Sequence, residues 1–238
     1  MEHTAITSAE NAIREQARSL VHVVRPPQEK SLELPPLLLL LHGLGSNEHD
    51  LFSFAPYLDK RFLVVSARAP FSLFPGGYAW FQIDFMPSGL RMHTDQAERS
   101  RLILLAFLDH LLEAYEVDAK RVYLAGFSQG AMMSMNVALT HPEKVAGVLA
   151  MSGRLLPDIL PNLAAPEQLQ DLPIFVSHGI YDDVLPIENG RVTQEILSQL
   201  PVALTYKEYP MAHEISPQSF ADATEWLKKQ LEGETAKQ

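Results

Sequence analysis

Apolar residues along this chain fall into two alternating rhythms. Short runs at residues 20–24, 37–41, 62–66, 122–125, 145–151, 174–177 and 204–209 are rich in Leu, Val and aromatic side chains and predict β-strands. Between most of them, residues 50–58, 95–115, 131–139, 187–200 and 217–231 place apolar side chains three and four positions apart, and several begin at Asp or Pro; these predict helices. Alternation of this kind implies an α/β architecture, a mostly parallel sheet with helices on both faces. The middle runs are continuously apolar, as strands buried on both faces require, whereas 204–209 mixes in Thr205, Lys207 and Glu208 and belongs near an edge. Two stretches, 67–89 and 156–172, carry too much Pro and Gly for regular elements and read as long loops walling a substrate site. There is no internal repeat. The 238 residues are expected to form one domain, 1–238, with a flexible tail over 232–238.

Composition narrows the function classes. A formal charge of -10 argues against a nucleic-acid or anionic-membrane surface, either of which needs clustered Lys and Arg. The absence of cysteine removes disulfides, thiolate metal sites and a cysteine nucleophile together. The first twenty residues carry Glu2, Glu10, Arg14, Glu15 and Arg18 without an apolar core, unlike a secretory signal. No apolar run approaches the roughly 18 residues of a membrane span. A soluble cytoplasmic protein is therefore expected.

The chemistry is concentrated in Gly126-Phe127-Ser128-Gln129-Gly130, which follows the strand-like run 122–125 and opens the helix-like run 131–139. A strand, a sharp turn and a helix make this pentapeptide a candidate nucleophile elbow, with glycines that let the backbone double back and lift the Ser128 hydroxyl out of the sheet. A serine hydroxyl needs a histidine as base and a carboxylate to orient that histidine. In a parallel sheet both should lie in loops after later strands. After 174–177 comes His178-Gly179-Ile180-Tyr181-Asp182-Asp183, and after 204–209 comes Pro210-Met211-Ala212-His213. Spacing alone leaves Asp182 and Asp183 as alternatives. The order Ser, Asp, His is that of an α/β hydrolase. Oxyanion donors are expected from the backbone N–H of Gln129 and from Leu44, whose glycine neighbours in His42-Gly43-Leu44-Gly45 let its amide turn toward a substrate. His42 and His178, each ending a strand, are expected to hydrogen-bond loop backbone. His93, His110 and His141 show no metal-binding spacing.

Leu41-His42-Gly43-Leu44-Gly45, Gly126-Phe127-Ser128-Gln129-Gly130 and the pair His178-Gly179 through Pro186 with His213 together resemble the phospholipase/carboxylesterase family of α/β hydrolases, which includes the acyl-protein thioesterases. The resemblance runs from about residue 37 to about 231. The family's H-G-x-x-D-x-x-x-P pattern implies Asp182 as the acid, with Asp183 where many members have proline; it implies His213 as base and Leu44 and Gln129 as oxyanion residues. Ala212 stands where members usually have Gly. The family's Trp-Phe pair matches Trp80-Phe81. The resemblance further implies a hydrolase without a lid domain or cofactor, closer to the bacterial esterase branch.

The sequence thus predicts a serine carboxylesterase acting through an acyl-enzyme. Apolar Phe71, Leu73, Trp80, Phe81, Leu155 and Leu156 are expected to line a pocket for a short or medium acyl group. The expected partner is a small-molecule acyl ester, with no metal and no nucleic acid; a homodimer is left open. Thioester or lysophospholipid cleavage by the same machinery, and a noncatalytic binding protein on the same fold, are the alternatives.

Overall fold

In the computed structural model, residues 2–29, 31–86 and 89–235 are described, with 2–7, 85–86, 89–90 and 234–235 by their backbone alone. Seven strands form the main sheet: β1 (His22–Arg25), β2 (Leu37–Leu41), β3 (Leu63–Ala67), β8 (Val122–Phe127), β9 (Gly147–Met151), β10 (Pro173–Gly179) and β11 (Ala203–Tyr209). Their spatial order is β1-β3-β2-β8-β9-β10-β11. All neighbours are parallel except β1, which pairs antiparallel to β3 with His22 opposite Ala67. The mixed strand β11 lies at an edge, as its composition requires.

Helices α1 (Glu2–Arg18), α2 (Thr94–Ala114), α3 (Gln129–Thr140), α4 (Pro166–Leu169), α5 (Ile187–Leu197) and α6 (Pro217–Thr235) complete the regular helical elements, together with 3₁₀ turns at Leu51–Tyr57, Pro142–Lys144 and Pro157–Asn162. Because successive strand residues point to opposite faces, β2 splits its leucines between two cores. Leu37, Leu39 and Leu41 join Ile103, Phe107, Met133 and Leu197 on the side of α2, α3 and α5. Leu38 and Leu40 join Leu51, Ala55, Trp226 and Leu227 on the side of α6 and the Leu51–Tyr57 turn.

Several expectations are corrected. Residues 67–89, expected to be irregular, contain β4 (Phe71–Phe74) paired antiparallel with β5 (Gly77–Ala79), and β6 (Ile83–Met86), which pairs with β7 (Gly89–Met92). In the first hairpin the Pro and Gly are the turn itself: Phe74 faces Gly77 across Pro75-Gly76, and Gly76 takes φ +85°, open to glycine at little cost. Residues 156–172 also hold short helical turns rather than irregular loop alone. The helix expected over 50–58 is a 3₁₀ turn, since Pro56 lies inside it and supplies no N–H. Helix α6 runs to Thr235, into the stretch expected to be a tail, and 236–238 lie outside the described residues. Strand β1 sits two residues beyond its expected start, because Leu20 closes the end of α1 through its amide to the Ala17 carbonyl at 3.2 Å. Helix α1, which the apolar runs did not announce, packs on α2 through Ile13, Ala17 and Leu20.

Candidate active site

The order of strands reverses between β2 and β8: from β2 the chain builds outward to β3 on one side, and from β8 to β11 on the other. Such a reversal, at the carboxyl ends of the strands, is the usual ligand position in open α/β sheets. Ser128 stands at that point, directly after β8 and before α3.

Its backbone is held at φ 53°, ψ -115°, an unusual conformation for a residue with a side chain, costing about 1–3 kcal/mol. The surroundings impose it. The Ser128 amide donates to the Met151 carbonyl at 2.8 Å, and the Ser128 carbonyl accepts from the Met132 amide at 3.2 Å as α3 begins. The flanking glycines are needed for close approach: a Cβ on Gly126 would lie 2.2 Å from the Gly130 carbonyl carbon, and one on Gly130 would lie 1.9 Å from the Leu41 carbonyl oxygen. The turn therefore wedges α3 against the end of β2.

Three residues far apart in sequence meet here. The Ser128 hydroxyl lies 2.9 Å from His213 Nε2, and His213 Nδ1 lies 2.7 Å from Asp182 Oδ2. The other oxygen of Asp182 accepts from the amides of Val184 at 3.0 Å and Leu185 at 2.7 Å, so the acid's orientation is set by its own loop. Asp182 is buried, whereas Asp183 is exposed; of the two acids, only Asp182 contacts the imidazole. Phe127 packs on the His213 ring at a centroid distance of 4.9 Å, backing the imidazole on the side of the sheet. His178, also buried, donates from Nε2 to the Leu185 carbonyl at 2.7 Å and so braces the acid loop.

The Gly43-Leu44 loop lies against the nucleophile: a Cβ on Gly43 would meet that of Ser128 at 3.4 Å. Its shape is held from several directions. The Gly45 amide donates to Tyr78 O at 2.8 Å, with Gly45 at φ +77°, and the Tyr78 amide donates to Ser46 O at 2.9 Å. His42 uses both ring nitrogens, Nδ1 donating to the Gly43 carbonyl at 2.7 Å and Nε2 accepting from the Ala69 amide at 3.0 Å. Burial holds its pKa below the ordinary histidine value, which keeps the ring neutral and the Nε2 lone pair free to accept. Glu48 is enclosed and gripped by two Arg68 nitrogens, while Arg68 also donates to the Tyr78 hydroxyl at 3.1 Å and lies over its ring. The Arg68 hydrogen bonds keep the Glu48 carboxyl below the usual carboxylate range despite its burial.

Gln129, at the start of α3, contributes two groups. Its backbone N–H is among the first of the helix, which have no acceptor within it. Its side chain accepts from the Trp80 amide and donates to the Phe81 carbonyl, both at 2.7 Å. Of the six residues expected to line the pocket, Trp80, Phe81, Leu155 and Leu156 are buried; Phe71 is half-buried and Leu73 is 37% exposed. Trp80 and Phe81 are wholly enclosed, and Trp80 donates through its indole to the His42 carbonyl at 3.0 Å. Their position is that of a strap across the loop and the helix start, which a Trp-Phe dipeptide in a Pro/Gly-rich stretch could not reveal.

Glu48, Arg68 and Tyr78 were not among the candidate residues. A buried carboxylate is indistinguishable in sequence from a surface one, and its arginine stands 20 residues away. Among the described residues, no helix is long and apolar enough to cross a membrane, and no three His, Asp or Glu side chains are grouped to hold a metal ion.

The family model described as phospholipase/carboxylesterase matches residues 22–231, and the chain belongs to that family. It is 28% identical over 214 residues to acyl-protein thioesterase 1 of Gibberella zeae, covering 82% of this chain and 90% of that protein. A probable carboxylesterase, SOBER1-like, of Arabidopsis thaliana is 28% identical over 211 residues, covering 84% and 80% of the two chains. Among solved structures, esterase PE8 superposes with a TM-score of 0.74 at 26% identity, covering 88% of this chain and 98% of that one. The Bacillus cereus carboxylesterase shares the fold at a TM-score of 0.76 and 23% identity, covering 93% and 99%. As a member of this family, the chain is a serine hydrolase of ester bonds.

Proposed function

We propose that this protein is a carboxylesterase that cleaves short- to medium-chain acyl esters through an acyl-enzyme on Ser128. The single observation that carries the proposal is the imidazole of His213, within hydrogen-bond distance of both the Ser128 hydroxyl and the Asp182 carboxylate. Ser128 Oγ attacks the ester carbonyl carbon as its proton passes to His213 Nε2, while Asp182 keeps Nδ1 protonated and stabilises the imidazolium. The amides of Gln129 and Leu44 receive the charge that develops on the carbonyl oxygen. Each such donor contributes about 3 kcal/mol of transition-state stabilisation. Collapse of the tetrahedral intermediate expels the alcohol, which takes the proton from Nε2. His213 next deprotonates a water, whose oxygen attacks the acyl carbon, releasing the carboxylic acid and restoring the Ser128 hydroxyl.

Accessible Phe71 and Leu73, with Leu44 38% exposed, support an apolar acyl contact of modest extent. The reading takes 1–238 as one domain in the cytoplasm. Thioester cleavage is the second reading, favoured by the relative named an acyl-protein thioesterase. A fluorophosphonate probe tests the nucleophile: wild type labels covalently and Ser128→Ala does not, and a folded wild type that resists labelling would favour a binding protein. Matched ester and thioester substrates of increasing acyl length then separate the two hydrolytic readings.

A further inference from the structure

Arg154 is a cation near the active site with no anion to neutralise it. It lies three residues past Met151, where β9 ends and whose carbonyl accepts from the Ser128 amide. Its neighbour Gly153 is pressed on the nucleophile turn, since a Cβ there would lie 2.9 Å from the Ser128 carbonyl oxygen and 2.6 Å from the Ala131 Cβ. The guanidinium reaches only weak acceptors: Nη2 approaches Met92 Sδ at 3.2 Å and Nη1 approaches Asn189 Oδ1 at 3.5 Å. Nε is buried without any partner. Among the described residues no ion pair involves it, although Glu188 lines the same hollow. Burial pulls its pKa below the ordinary arginine value, with no neighbouring anion opposing that effect.

Apart from the Glu188 carboxylate on its rim, the hollow suits a ligand that ends in a negative charge. It has a volume of about 200 Å³ and is lined by Arg154, Leu155, Pro157, Val192, Thr193 and Ile196, among others, so its walls are largely apolar beneath the guanidinium. The first turn of α5, which carries Glu188 and Asn189, closes one side. A half-buried guanidinium without a counter-ion is an unfavourable arrangement, whereas a carboxylate can engage its fork with two parallel charge-assisted hydrogen bonds.

We propose that Arg154 forms an anion subsite beside the Ser128 centre, so that the preferred substrate is an ester that also carries a free carboxylate. The proposal rests on the serine esterase reading and sharpens its substrate class. Binding energy gained at this remote group acts mainly through KM, because the pair forms in the ground state as well as the transition state.

The test compares matched 4-nitrophenyl esters, the glutarate half-ester against the pentanoate, and adds a carboxylate on the alcohol side with 4-carboxyphenyl butanoate against phenyl butanoate. Wild type should favour the carboxylate-bearing member of at least one pair, and Arg154→Gln should lower the charged-to-neutral ratio of kcat/KM by about tenfold to a hundredfold, the range of one charge-assisted pair. The loss should appear in KM, be restored in part by Arg154→Lys, and shrink in wild type as salt is raised. A wild type that disfavours the charged member of both pairs, or an Arg154→Gln variant that leaves both ratios unchanged, overturns the subsite. Either result leaves the esterase reading intact provided fluorophosphonate still labels Ser128; loss of that labelling in wild type overturns the esterase reading instead.

Discussion

The side chain of Gln129 accepts a hydrogen bond from the amide of Trp80 at 2.7 Å and so ties the start of α3 to the strap that crosses it. Its amide nitrogen completes the tie by donating to the Phe81 carbonyl at the same distance. The residue proposed to supply an oxyanion donor is thereby positioned through its side chain. Replacing it should disturb both roles.

Gln129→Ala leaves the Trp80 amide and Phe81 carbonyl buried without partners, at about 1–3 kcal/mol each. Thermal unfolding should shift down accordingly, and kcat should fall with it because the helix start loosens. Gln129→Met, of similar volume but without hydrogen bonds, should show the same drop, which separates lost bonding from lost packing. Unchanged melting for both variants would contradict the assignment.

Asp182 and Asp183 are adjacent in sequence but unequal in place. Asp182→Asn should lower kcat by about 10⁴, the scale seen when a triad acid becomes an amide and the imidazole adopts the wrong tautomer. Asp183→Asn, at an exposed side chain, should remain within a few-fold of wild type. Steady-state rates on one 4-nitrophenyl ester decide between them.

Arg68→Met strands the Glu48 carboxylate in its enclosed position. The cost should be about 2–3 kcal/mol, under the ~3–5 kcal/mol of a fully interior pair because Arg68 keeps a side toward solvent. The loop that presents Leu44 should loosen, so kcat should drop while Ser128 still reacts with a fluorophosphonate. Glu48→Gln with Arg68→Met should recover part of the melting temperature, since the stranded charge is then gone.

Acid should weaken the same loop through two groups. Glu48 has a folded pKa below its unfolded value, so its contribution is complete above the unfolded carboxylate range and is lost as pH falls through the folded pKa. His42 is also depressed, from an ordinary value of 6.5, so between that value and its folded pKa the unfolded chain binds the extra proton and stability falls as pH drops. Unfolding free energy measured from pH 8 to 5 should decline, and His42→Gln, which cannot titrate, should flatten that part of the curve.

Gly130→Ala should abolish stable folding or cost more than ~3 kcal/mol, because its Cβ would stand 1.9 Å from backbone oxygen that cannot rotate away. Gly76→Ala meets no atom within 4 Å and should cost only about 1 kcal/mol, through its positive φ. Denaturant midpoints of the two variants provide the comparison.

How far these features were readable depended on whether their cause was local. The strand–helix alternation and the Gly126-to-Gly130 turn were visible because apolar period and backbone crowding act within a few residues. The two hairpins over 71–92 were not, since their Pro and Gly signalled interruption without showing that the flanking residues pair. Trp80 and Phe81 looked like pocket lining because an aromatic residue announces burial but not what it is buried against.

The sequence alone determined a parallel α/β sheet, the elbow at Ser128 and an acid and a histidine in the loops that should meet it. The tertiary structure put Asp182, the acid that the family pattern implied, and not Asp183 in contact with His213, and it alone converted Trp80 and Phe81 from lining into a strap and left Arg154 facing a hollow without a counter-ion. The reason is physical: local sterics are written in neighbouring residues, whereas the partner of a buried polar group is set by which distant segments the packed core brings beside it.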